Sequence, residues 1–84
     1  MDYITNDDTI MFNSKFNKKL DIRLIYGYKK LIFSNYKLNK RLFEYYANDD
    51  FDDLKYIGSN FNQDVSDLPH NLTHLTFGHD FNRD

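Results

Sequence analysis

Cysteine and tryptophan are absent from these 84 residues; proline occurs once (Pro69), alanine once (Ala47) and glycine three times (Gly27, Gly58, Gly78). Without cysteine there is no disulfide, no thiolate zinc site and no thiol nucleophile. That absence suits a reducing compartment. No apolar run approaches the ~18 residues of a membrane span. The opening MDYITNDDT is acidic and polar where a secretory leader is basic and apolar. Together these absences predict a chain that works inside the cell, in the cytoplasm, and away from membranes. Its length allows one small domain, near the size at which a single core is marginal.

What is abundant is aromatic. Phenylalanine and tyrosine make up 18% of the chain, and each buries a large area, so a small core is within reach. The net charge of −2 hides an asymmetry. Nine bases lie between Lys15 and Arg41 against one acid, Asp21, whereas from Leu42 onward nine acids face only Lys55 and Arg83. Such polarity fits halves that attract each other, a plain solvated face, or a nucleic-acid-binding half. The basic stretch Lys15 to Arg41 matches no groove-reading motif, and its tyrosines recur at helical spacing, which ranks nucleic acid below a protein partner.

Local pattern predicts helix first and short strands later. Thr5-Asn6-Asp7-Asp8 offers N-cap candidates ahead of Ile10, Met11 and Phe12. In residues 16–33, Leu20, Ile22, Leu24 and Tyr26 alternate as a strand would. Phe16, Leu20, Leu24 and Leu31 fit a helical face, and the length and regular bases favour helix, with Gly27 a weak point. A second helical segment, with Leu38 and Leu42 on one side, should end in the cluster Asn48-Asp49-Asp50. After Phe51 the chain turns to Gly, Asn, Thr and Asp with short apolar alternations. Leu72, Leu75 and Phe77 follow the spacing L-x-x-L-x-F. In a strand, Leu75 and Phe77 would point inward together, with Leu72 folded back over the same core.

The stretch LPHNLTHLTFGHDFN, Leu68 to Asn82, resembles an FNIP repeat, a leucine-rich-repeat-like unit of amoebal and giant-virus proteins. LKYIGSNFNQD, Leu54 to Asp64, resembles a partial copy, aligning Gly58, Phe61 and Asn62 with Gly78, Phe81 and Asn82. The resemblance implies a repeat core of Leu72, Leu75, Phe77, Phe81, Gly78, Gly58 and Phe61, with the glycines permitting the turn after each strand. It implies a viral or amoebal protein, acting in the host cytoplasm if viral. Such repeats often follow an F-box, and ITNDDTIMF with KKLDIRLIYGYKKLI resembles a degenerate one. That second resemblance implies contact through Leu20, Leu24 and Ile25 with the adaptor subunit of a cullin-type ubiquitin ligase. Solenoids usually need about three units and a cap, so the chain reads as a shortened member, or one whose open edge a partner covers.

The expected fold is therefore α+β: a short helical N-terminal region over 1–48, then one to two leucine-rich-repeat-like β-solenoid coils over 49–84. Within the coils, 54–64 is the partial unit and 68–84 the near-complete one. The expected function is a non-enzymatic protein–protein interaction module, presenting Lys55, Thr73, His74 and Thr76 outward. Nucleic-acid binding, or a shortened product without activity, are the alternatives. No Gly-rich phosphate loop, nucleophile elbow or acid–base pair supports catalysis. His70, His74 and His79 lack the convergence that metal ligation needs, and Asp49, Asp50, Asp52 and Asp53 lack the glycine and terminal glutamate of a calcium loop. No cofactor is expected.

Overall fold

The structure, a computed structural model, describes residues 2–63, 65 and 68–77. Strands β1 (Tyr3–Asn6) and β2 (Thr9–Phe12) form an antiparallel hairpin. Its two-residue loop is Asp7-Asp8, with Asp7 in the left-handed region at φ 52°. The helix α1 (Ile22–Ile25) leads to β3 (Lys30–Phe33), which pairs parallel to β2 with Ile10 opposite Leu31 and Phe12 opposite Phe33. The helix α2 (Leu42–Asn48) lies in the next crossover, and β4 (His74–Thr76) joins β3 in parallel with Leu75 opposite Leu31. The sheet order is β1-β2-β3-β4. Parallel neighbours cannot be joined by a tight turn, which is why both helices sit in the long crossovers.

The core lies on one face. Ile10 and Phe12 from β2 and Leu31 and Phe33 from β3 point into it, joined by Phe16, Leu20, Ile25 and Phe61 from the crossovers. Its centre is a set of stacked rings: Phe33 is 3.9 Å from Phe61, 5.5 Å from Phe12 and 5.6 Å from Phe77. Phe16 closes the set, 4.4 Å from Phe12 and 6.0 Å from Phe61. The offset of stacked rings adds about 0.5–1.5 kcal/mol per pair beyond their burial. Met11 and Leu42 are also fully buried, yet outside this cluster. Met11 alternates with Ile10 and Phe12, so it faces the other side of the sheet.

Two expectations are overturned. The N-terminal region is not helical: its first elements are a β-hairpin, and α1 spans only four residues. The acids expected to cap a helix turn a hairpin instead. The run Ile10-Met11-Phe12 decides it, because all three are buried, and a continuous apolar run buried on both faces is the pattern of an inner strand. The second expectation, stacked solenoid coils over 49–84, is also not met. Residues 54–63 supply no strand, and β4 pairs directly with β3. Backbone N–H groups of Ile57 and Gly58 both donate to the Asn35 carbonyl at 2.9 Å, and Asn60 N–H donates to the Ser14 carbonyl at 2.7 Å. These bonds carry the chain across the ends of β2 and β3 rather than alongside them, while Phe61 drops into the core. The second helix does end at Asn48, with Asp49 in the left-handed conformation at φ 53°.

Candidate binding site

Thr9, Lys30 and His74 are cross-strand neighbours at the start of the three parallel strands. Their side chains share the sheet face opposite the aromatic core, as do those of Ile32 and Thr76. On this side α2 leaves part of the sheet uncovered. The gap is a cleft of about 510 Å³ lined by Asp7, Asp8, Thr9, Lys30, Ile32, His74 and Thr76, with Phe43, Tyr46 and Ala47 of α2 as one wall. A second hollow, of about 420 Å³, lies between β1 and Phe43.

The helical wall is held by specific contacts. The Tyr46 hydroxyl accepts from the Asn35 backbone N–H at 2.9 Å and donates to Ser34 Oγ at 3.4 Å. Its ring meets Phe51 edge-on at 4.8 Å, and Phe51 stacks on Tyr36 at the same distance. Burial, then the neighbouring Tyr46, Tyr56 and Asp49, push the Tyr36 hydroxyl above its ordinary pKa of 10.0. At the floor, backbone N–H groups of Lys29 and Lys30 donate to the Asp8 carbonyl at 2.8 and 3.0 Å. Thr9 Oγ1 donates to the Asp8 carboxylate at 3.3 Å. His74 Nδ1 is 3.0 Å from Thr73 Oγ1, which also contacts the Lys29 carbonyl at 3.2 Å.

The ion pairs among the described residues are Lys18–Asp2, Arg23–Asp21 and Arg41–Glu44. None involves Lys30, Asp7 or Asp8, although the Asp8 carboxylate accepts from the Thr9 hydroxyl. None of them joins a base of the Lys15–Arg41 stretch to a distant acid of the second half either. Attraction between the halves therefore does not take the form of ion pairs among these residues.

Of the residues expected to form a partner surface, Thr73, His74 and Thr76 come together on β4 and its approach, all exposed, whereas Lys55 is exposed on the long connection and does not line the cleft. Of the expected repeat core, Phe61 is fully buried and Leu72 and Phe77 pack partly against the cluster. Gly58 is buried at φ 90°, the conformation a glycine favours, but it follows no strand. Leu75 is 40% exposed although its ladder partners Ile10 and Leu31 are fully buried. Gly78, Phe81 and His79 lie outside the described residues. Leu20 and Ile25, expected to contact a ubiquitin-ligase adaptor, are buried in the core and Leu24 is half-buried against it. They present no free helical face to such a partner. Among the described residues, no group of three or more His, Cys, Asp or Glu is placed to hold a metal, and no helix is long and apolar enough to cross a membrane.

Sequence reasoning missed the cleft, whose residues come from the β1–β2 hairpin, strands β3 and β4, and α2. It also missed two further copies of the repeated phrase. Phe12-Asn13-Ser14-Lys15-Phe16-Asn17 and Phe33-Ser34-Asn35-Tyr36-Lys37-Leu38-Asn39 parallel Ile57-Gly58-Ser59-Asn60-Phe61-Asn62. The signal was a serine one or two places after an apolar residue. Ser14, Ser34 and Ser59 are all buried, and Ser34 and Ser59 accept from the backbone N–H two residues on. Attention to glycine hid the copies, because Asn13 and Ser34 stand where the later copies have Gly58 and Gly78. Comparison with family models, curated proteins and solved structures finds no match for this chain.

Proposed function

We propose that the chain is a non-enzymatic protein–protein interaction module that takes an extended segment of a partner protein onto the outer edge of β4, the last strand of the sheet among the described residues. The observation that carries this reading is the burial gradient along one ladder. Ile10 and Leu31 are 0% exposed and Leu75, in register with them, is 40% exposed. The core face thus runs out to the sheet edge with an apolar side chain that a further strand would cover. Edge strands are commonly guarded by shortness, lysine, proline or a bulge; His74-Leu75-Thr76 is short, at three residues, but carries neither lysine nor proline. Strand addition uses main-chain hydrogen bonds for affinity and alternate side chains for selection. The recurrence of the serine-bearing phrase, in two of its copies directly after a strand (β2 and β3), supports the resemblance to FNIP repeats, whose open edge invites a partner.

The non-catalytic part of the reading rests on the sequence, which offers no phosphate loop, nucleophile elbow or acid–base pair. In the cleft, His74 Nδ1 meets the Thr73 hydroxyl, which also contacts the Lys29 carbonyl. The test is selection of displayed linear peptides on the folded chain. Binders should lose affinity when alternate backbone nitrogens of the peptide are methylated, and should lose it on Leu75→Lys, with folding checked by circular dichroism. Binders indifferent to both changes, or no enriched peptide, would sink the proposal.

A further inference from the structure

We infer that the strand accepted at β4 is acidic on its cleft-facing side and apolar on the other, so that the partner segment alternates carboxylate and aliphatic residues. This rests on the strand-addition reading above and names its selectivity. The pleat supplies the alternation. Leu75 points to the core face while His74 and Thr76 point into the cleft, and an added strand must follow the same two-residue period. Opposite Leu75 an aliphatic side chain continues the ladder of Ile10 and Leu31. On the cleft side its neighbours meet His74, Thr76 and, one strand further in, Lys30.

Charge complementarity selects acids there. Lys30 is half-buried, lines the cleft and takes part in none of the ion pairs among the described residues. Its flexible stem and three rotatable donors suit a carboxylate arriving from the side. The cleft also holds acids, Asp7 and Asp8, but the sheet order separates the two signs. Lys30 is on β3, next to the edge strand, whereas the acids are in the β1–β2 loop at the far end. Strands are spaced about 4.8 Å apart, so an added strand lies roughly 10 Å from the backbone of β3 and roughly 14 Å from that of β2. Both backbone distances exceed the screening length of about 8 Å at physiological salt, but the long lysine stem reaches further toward the edge than the short aspartates, which start one strand further in. The lysine is therefore the nearer charge at the edge, and the acids of the β1–β2 loop act more weakly there.

The experiment uses capped peptides of about six residues, the usual strand length, alternating valine with glutamate, glutamine or lysine, titrated against the whole chain by calorimetry. The glutamate peptide should bind about fivefold tighter than the glutamine peptide, the upper range for a partly exposed pair, and the ratio should shrink as salt is raised. Lys30→Gln should bring the ratio to about one, whereas Lys30→Arg, which keeps the charge, should retain it. With circular dichroism confirming that both variants fold, that rescue separates lost charge from a folding defect. Equal binding of glutamate and glutamine peptides, tightest binding of the lysine peptide, or a ratio that survives Lys30→Gln overturns the acidic preference alone. Binding by none of the three removes strand addition as well.

Discussion

Single side chains in this protein carry more than their sequence positions suggest. Asparagine is the clearest case. Asn17 Oδ1 accepts from Asn62 N–H at 3.0 Å and from the Gln63 side chain at 2.8 Å, Asn35 Oδ1 accepts from Ser59 N–H at 2.9 Å, and the Asn71 amide donates to the Tyr26 carbonyl at 2.8 Å. These side chains splice loops to one another where no strand runs. Tyr36 sets a pH dependence. Its hydroxyl is harder to ionise in the folded state than in the unfolded chain, with burial the leading cause. The folded state therefore holds its proton where the unfolded state has lost it. The corresponding stability is present below pH 10 and falls as pH rises through the unfolded and then the folded value. Chemical denaturation between pH 9 and 12 should show that decline, and Tyr36→Phe should make it shallower. An unchanged slope in the variant would place the effect on other tyrosines.

At the scale of elements, the β1–β2 hairpin is the piece with a local conflict. Asp7 sits at φ 52° as the first of two loop residues, a position where glycine is preferred because a Cβ is crowded there. Asp7→Gly removes strain of order 1 kcal/mol, partly offset by the greater freedom of glycine in the unfolded chain. A rise in Tm of a few degrees is expected. Asp7→Val, branched at the Cβ, should lower it by more. Thermal melts of the two variants in parallel decide the point, and a fall with glycine would mean that the Asp7 side chain is itself stabilising. The short helices behave differently. α1 owes its start to Asp21, whose carboxylate accepts from Arg23 N–H at 3.0 Å, and at four residues it is far below the ~12 that hold helix alone in water. Its place depends on Ile25 being buried.

For the whole molecule, stability comes from the aromatic core rather than from charge. The three ion pairs among the described residues are all exposed, with side chains 54–95% accessible, and such pairs contribute between about 0 and 1 kcal/mol each. Raising sodium chloride to about 1 M, where screening acts within about 3 Å, should move the Tm by no more than a few degrees. A steep fall would mean that the basic and acidic halves attract each other at long range. Among the described residues the sheet ends on β4, and the proposed function is placed at that edge. The edge exists because one ladder ends at β4 with Leu75 still partly in water.

The sequence by itself determined the size of the protein, its aromatic core and the buried role of Phe61, because hydrophobic area and ring count are properties of composition and of single residues. It also determined the end of α2, since left-handed Asp49 and the polar cluster around it need no distant partner. It did not determine whether residues 1–33 would be helix or strand. Leu20, Ile22, Leu24 and Tyr26 carry both periods, and Asn6-Asp7-Asp8 can cap a helix or turn a hairpin with equal ease. Only pairing between β2, β3 and β4, whose partners lie 21 and 44 residues apart, resolved that choice. The cleft is likewise tertiary: Asp8, Lys30, Tyr46 and His74 meet because parallel strands bring their starting ends to one side. The register of those strands, set by burying Ile10, Leu31 and the phenylalanines on one face, is a property of the packed sheet and not of any segment within it.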